Sequence, residues 1–267
     1  MTSPVSPDVL ADSGLQLAQD GAVLTITLDR PAVRNAQTPL MWRTLAEIGA
    51  SIGDDVRVVV VRGVGQSFSA GLDRSMLDPT AGAPGTETVA DLLRLDDAGL
   101  SATIEEYQRG FTFLRDPRFV SIAAVQGYAI GAGFQLALSC DLRVLAEDAQ
   151  LCMKESALGL VPDLTGTKPL VEAVGYARAL EICATARMVD AREAAAIGLA
   201  QRVVPTTELD AAVADLAAAL TAPMVGAVRE TKALLQGAAD RSLDEQRRLE
   251  REAQGRRFRE VAALVGR

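Results

Sequence analysis

The stretch Phe119-Val120-Ser121-Ile122-Ala123-Ala124-Val125-Gln126-Gly127-Tyr128-Ala129-Ile130-Gly131-Ala132-Gly133-Phe134-Gln135-Leu136-Ala137-Leu138-Ser139-Cys140 sets the fold class. Phe119 to Gln126 is an apolar run of strand length, and Phe134 to Cys140 reads as a helix that begins at the glycines between them. Strand, glycine turn and helix in succession mark an α/β chain, and the turn is a place where backbone NH groups can face a ligand.

The same pattern extends in both directions. Upstream, Val23 to Leu28 alternates with the period of a strand buried on one face, and it ends at Asp29-Arg30-Pro31. Thr38 before Pro39 predicts an N-cap and first helical residue, with the helix running to about Ile52. Arg57 to Arg62, with Val58 to Val61 unbroken, predicts a strand buried on both faces. Gly63 to Asp73 follows as a small-residue loop, the second junction of site type. Residues 78 to 86, rich in Pro, Gly, Thr and Ala, read as a mobile loop, and a helix with interruptions near Asp96 to Gly99 is expected from Glu87 to Arg115. Downstream, Leu142 to Ala146 reads as a short strand and 151 to 167 as irregular. Asp190 and Glu193 form a capping-box pattern. From Thr206 the pattern is helical, with starts near Thr207, Pro223 and Ser242, and the last segment sets Arg247, Arg248, Arg251, Arg256 and Arg257 among glutamates. Such a segment is either an interface arm or a solvated helix.

A chain of 267 residues can support one main core with a helical appendage and is long enough to bury a ligand site. Its net charge of −8 argues against a nucleic-acid surface. Cys140, Cys152 and Cys183 form no C-x-x-C pair and read as thiols of a reducing compartment. No stretch has the length of a membrane span and no leader pattern precedes the first strand, so a cytoplasmic protein is expected. The sequence contains no histidine, which removes imidazole as base, nucleophile activator and metal ligand. Acid–base work near neutral pH would fall to Asp, Glu, Lys, Tyr or Cys. No metal or cofactor is expected.

Gly131-Ala132-Gly133 could suggest a dinucleotide site, but Leu136 stands where the third glycine of that fingerprint is needed. Two glycine turns at the ends of buried strands suit the holding of one oxygen that becomes negative during reaction, although glycine turns also serve as ordinary connectors.

Several segments occur together in the order and spacing of the crotonase superfamily. They are Arg30-Pro31 with Arg34-Asn35-Ala36, Phe68-Ser69-Ala70-Gly71-Leu72-Asp73, Ile122 to Gly133, Cys140-Asp141-Leu142-Arg143 and Leu158-Gly159-Leu160-Val161-Pro162. The resemblance covers residue 14 to the C-terminus. It implies a spiral of ββα repeats over residues 1–205 carrying an acyl-CoA site, then a helical oligomerisation region over 206–267, in homotrimers or dimers of trimers. It implies that the thioester carbonyl is held by the backbone NH groups of Leu72 and Ala132. Arg34, Ala36, Ala70, Asp73 and Arg74 match the region that takes CoA. Ser75 stands where a lysine is common; Arg74 beside it is either a substitute that serves the phosphate or a solvated surface charge.

The family's hydratases carry two glutamates. At the first position this chain has Gln135, an amide that can orient a ligand but has no proton to lose. At the second it has Glu155, within Met153-Lys154-Glu155-Ser156, the candidate base. Asp163, eight residues on, resembles the second acid of dienoyl-CoA isomerases, although a turn residue or helix cap would also be Asp there. The expected activity is an enoyl-CoA hydratase/isomerase of fatty-acid metabolism, with isomerisation favoured. Alternatives are a hydratase in which Gln135 or Asp163 holds water, and a non-catalytic acyl-CoA-binding protein.

Overall fold

The computed structural model describes residues 5–77 and 87–265, so the loop expected at 78–86 lies outside the described residues. Among the described residues, nine strands form two sheets: β1 (Leu15–Asp20), β2 (Val23–Leu28), β3 (Val58–Gly63), β4 (Val120–Val125), β5 (Tyr128–Ile130), β6 (Leu142–Ala146), β7 (Gln150–Cys152), β8 (Val189–Asp190) and β9 (Arg202–Val204). The helices are α1 (Pro7–Ser13), α2 (Pro39–Ser51), α3 (Val89–Leu92), α4 (Asp97–Thr112), α5 (Ala132–Ser139), α6 (Thr167–Val174), α7 (Tyr176–Thr185), α8 (Ala191–Ala196), α9 (Leu209–Thr221), α10 (Val225–Leu235) and α11 (Leu243–Val265).

The large sheet runs β1-β2-β3-β4-β6-β9, antiparallel between β1 and β2 and parallel elsewhere. The small sheet runs β5-β7-β8. Isolated parallel bridges join Gln37 to Leu72 and Ser69 to Ala129, carrying the small layer back to the first turns of the chain. The passes through β2, β3, β4 and β6 are each followed by an extended segment in the small layer and then by helix, which is the ββα spiral that the resemblance implied.

Residue type accounts for the layering. Along β3, β4 and β6, alternate residues Val59, Val61, Ala123, Val125 and Leu145 face the main core. Their neighbours Val58, Val60, Ile122, Ala124 and Val144 face Leu209, Val213 and Ala217 of α9. Both faces are covered, so these strands are largely apolar: Val58–Val61 of β3 is unbroken, while β4 and β6 are each interrupted by one polar residue, Ser121 and Arg143. By packing, α9 thus covers one face of the sheet, and α10 and α11 follow it in the chain as a helical appendage. Thr38 caps α2 as expected, its side chain accepting the Met41 NH. The helix expected over Glu87 to Arg115 divides into α3 and α4, because Asp96 starts a new helix by accepting the Gly99 NH. The capping box at Asp190 is only half formed: Asp190 accepts the Glu193 NH, but the Glu193 side chain goes to Arg187 instead.

The appendage is tied down by cations reaching backbone carbonyls. Lys232 of α10 donates to Asp116 O and Phe119 O and to Asp141 Oδ2, each at 2.7 Å. Arg229 donates to Arg118 O and Asp54 O. Among the described residues, no single helix is long and apolar enough to cross a membrane.

Candidate active site

The two glycine turns meet. Gly71 has φ +87°, and a Cβ built there would lie 2.4 Å from Ile130 O and 3.5 Å from Ala132 N, so the loop after β3 rests its backbone directly on the turn before α5. Only glycine permits both that φ and that approach. A buried network fixes the loop. Ser69 Oγ donates to Asn35 O and accepts from Gly71 N and Gln37 Nε2, while Gln37 Oε1 accepts the Trp42 indole NH. Asn35, at φ 56°, links the neighbouring turn to Val64 O and Ser67 O. Ser69 and Asn35 stand in the sequence pattern of the resemblance without a role that the pattern shows. Their saturation by contacts about 30 residues away is a tertiary fact.

Among the described residues, neither the Leu72 NH nor the Ala132 NH has a protein acceptor. The bridge to Gln37 uses Gly71 O and Asp73 N, leaving Leu72 between them. Ala132 opens α5, where the first NH groups have no partner within the helix. Two backbone donors on touching turns, one of them at a helix start, are suited to an oxygen carrying negative charge.

Glu155 comes to the same turn. A Cβ on Gly131 would stand 3.3 Å from its Oε1 and 3.9 Å from its Oε2. Glu155 is buried, although Lys154 beside it is exposed. Oε1 accepts the Gln135 amide NH at 2.7 Å, whereas Oε2 is buried without a hydrogen-bond partner. Burial pushes the Glu155 carboxyl above the ordinary range. The Gln135 hydrogen bond opposes the rise, and the charge of Asp163 adds to it.

Asp163 is open to solvent in the single chain, yet enough protein surrounds its carboxyl to push its pKa upward. It caps no helix: α6 starts at Thr167 with Gly166 as its cap. Its carbonyl accepts Gln108 Nε2 from α4 at 2.7 Å. Gln135 is fully enclosed. Besides donating to Glu155, it accepts the NH groups of Leu164 and Gly166 at 2.9 and 3.2 Å.

The residues matched to CoA sit on and beside the loop after β3 and the turn at Asn35, with Ala36 buried. Arg34 is exposed, with its guanidinium 5.7 Å from the centre of the Tyr128 ring. Ala70 NH donates to Arg34 O, and Ala36 O accepts Arg30 Nη1. The Asp73 carboxylate is held by Arg30 at 2.9 Å and by Ser75, and these contacts outweigh its burial to keep it below the usual range. Arg74 is exposed.

The enoyl-CoA hydratase/isomerase family pattern matches residues 18–263, nearly the whole chain. The chain belongs to the enoyl-CoA hydratase/isomerase family. Within that family it is similar to proteins named for different reactions. It is 37% identical over 229 residues to the human mitochondrial Delta(3,5)-Delta(2,4)-dienoyl-CoA isomerase, covering 84% of this chain and 68% of the relative. It is 30% identical, also over 229 residues, to the probable enoyl-CoA hydratase echA8 of Mycobacterium tuberculosis, covering 85% and 82%. A Thermobifida fusca YX protein solved in complex with acetoacetyl-CoA superposes with a TM-score of 0.92 at 53% identity, over 97% of this chain and all of that one. The family and its fold are shown by these likenesses, and the chain is an enzyme of this enoyl-CoA hydratase/isomerase class.

Proposed function

We propose that the protein binds an acyl-CoA thioester and moves a carbon–carbon double bond along its acyl chain. The observation that carries this reading is the placement of the buried Glu155 carboxyl against Gly131, one residue before the Ala132 NH. A thioester oxygen received by the Leu72 and Ala132 NH groups would put its acidic α-carbon near Glu155. Glu155 takes the α-proton, the electron pair passes into the enolate held by the two NH groups, and the proton returns further along the chain as the double bond shifts toward the carbonyl. CoA would lie along the loop after β3 and the turn at Asn35, with Arg34 and Arg74 facing its phosphates. Ala36 and Ala70 would offer backbone there, and Asp73 would hold the turn through Arg30. The neighbour solved with acetoacetyl-CoA supports a thioester ligand.

Asp163 favours isomerisation over hydration. Its carboxyl is engaged only by its own backbone NH among the described residues, and its charge raises the Glu155 pKa, so it can serve as the second acid when the proton must travel farther, as in a dienoyl substrate. The relative named dienoyl-CoA isomerase supports this reading. A hydratase would instead hold water on Asp163, since Gln135 is enclosed and engaged by protein at both ends.

The test is incubation with a 3-enoyl-CoA, and separately a 3,5-dienoyl-CoA, in heavy water with mass spectrometry of products. An isomerised product carrying deuterium without added water supports the proposal. A product heavier by one water returns the reading to hydratase, and binding without any change leaves an acyl-CoA-binding protein.

A further inference from the structure

The Gln135 side chain lies wholly out of solvent and joins two parts of the site distant in sequence. Its Oε1 accepts both Leu164 N and Gly166 N, and its Nε2 donates to Glu155 Oε1. Two NH groups can be met only by the amide oxygen, so the amide cannot turn over, and its NH2 must face Glu155. One Glu155 oxygen is thereby engaged. The other, Oε2, has no partner among the described residues and lies 3.9 Å from the Cβ position of Gly131.

We infer that Gln135 is a positioning residue: its amide locks Glu155 by Oε1 to the loop Asp163–Gly166, leaving Oε2 as the oxygen that receives the substrate proton. The inference rests on the acid–base role proposed for Glu155. In the step concerned, the substrate C–H bond breaks, its proton forms an O–H bond with Oε2, and the electron pair remains on the substrate as the enolate. Because Leu164 follows Asp163 directly, the same amide also sets the separation of the two carboxyls.

An amide NH aimed at Oε1 favours the ionised carboxylate, the form that can act as base, against the burial and the Asp163 charge that oppose it. The other titratable neighbours are Cys152 on β7, Cys183 on α7 and Lys154 beside Glu155 in the chain. None of these is altered by substitution at 135.

The test is a carboxyl titration by NMR of protein labelled with 13C-glutamate, with the Glu155 signal assigned by its loss in Glu155→Gln. In Gln135→Met the Glu155 midpoint is expected to rise by about one unit, because the donor to its anionic form is gone. In Gln135→Glu, which keeps the shape and an acceptor for Leu164 and Gly166, two carboxyls share one proton and the midpoints split. If the methionine variant does not fold, the glutamate variant decides by the same measurement. Turnover should fall by about 10²-fold in either variant while KM changes little, since the thioester and CoA contacts are untouched. A Glu155 midpoint unchanged in both variants would overturn the inference. The titration needs no turnover, so a wild type inactive on every thioester would count against the proposed reaction and not against the amide lock.

Discussion

Glu155 carries opposing demands on one side chain: it must be dry enough to act on a weakly acidic C–H bond and still ionise. Glu155→Gln is expected to lower isomerisation by about 10²- to 10⁴-fold while leaving CoA affinity, measured by calorimetry, close to wild type. The same substitution should affect stability in the opposite sense. Burial raises the folded-state pKa of Glu155, so the folded chain binds its proton more tightly than the unfolded chain does. The contribution of this group to stability is thus greatest at low pH and is lost as pH rises through the folded value. Glu155→Gln should therefore melt above wild type at pH 8, and the gap should close as pH falls toward the ordinary carboxylate range. Melting curves across that range check the sign.

Single elements and turns made much of the architecture readable in advance. Val23–Leu28 and Leu142–Ala146 are strands with the expected bounds, and Thr38-Pro39 starts α2, because period, cap chemistry and the fixed φ of proline are local properties. Tyr128–Ile130 is too short a strand to show a period. Helices α6 and α7 escaped because each is short and they meet at Gly175. The residue type of Gln135 suggests a group that orients ligand, whereas its partners at 155, 164 and 166 come from other parts of the fold. At this scale two substitutions test the packing. Gly71→Ala forces a Cβ against Ile130 O at an unfavourable φ; it should cost about 1–3 kcal/mol of stability and lower kcat by about 10²-fold as the two turns part. Lys232→Met leaves Asp141 without its buried cation and should cost about 3 kcal/mol in denaturant unfolding, with the appendage released from the core.

For the whole molecule, α11 stands apart. Leu243, Phe258, Val261 and Leu264 are 74%, 67%, 40% and 56% exposed on a helix whose surroundings in the single chain are mainly α10. Some of its charges pair within the helix, as in Arg248 with Glu245 and Glu252, and Arg256 pairs with Glu230 of α10, while these apolar side chains stay open to solvent. Sedimentation analysis should find a trimer or a multiple of it, and Phe258→Asp should shift the population toward single chains. The touching turns at Gly71 and Ile130 carry a consequence of another kind. The two donors proposed to bear the charge of the reaction belong to the peptide backbone, so a survey replacing Leu72 and Ala132 one side chain at a time would pass over them with little change. Replacing either amide by an ester through chemical ligation would remove the NH and keep the side chain. The chemistry would then be written in the path of the main chain, and the residue letters at its two centres would be free to drift.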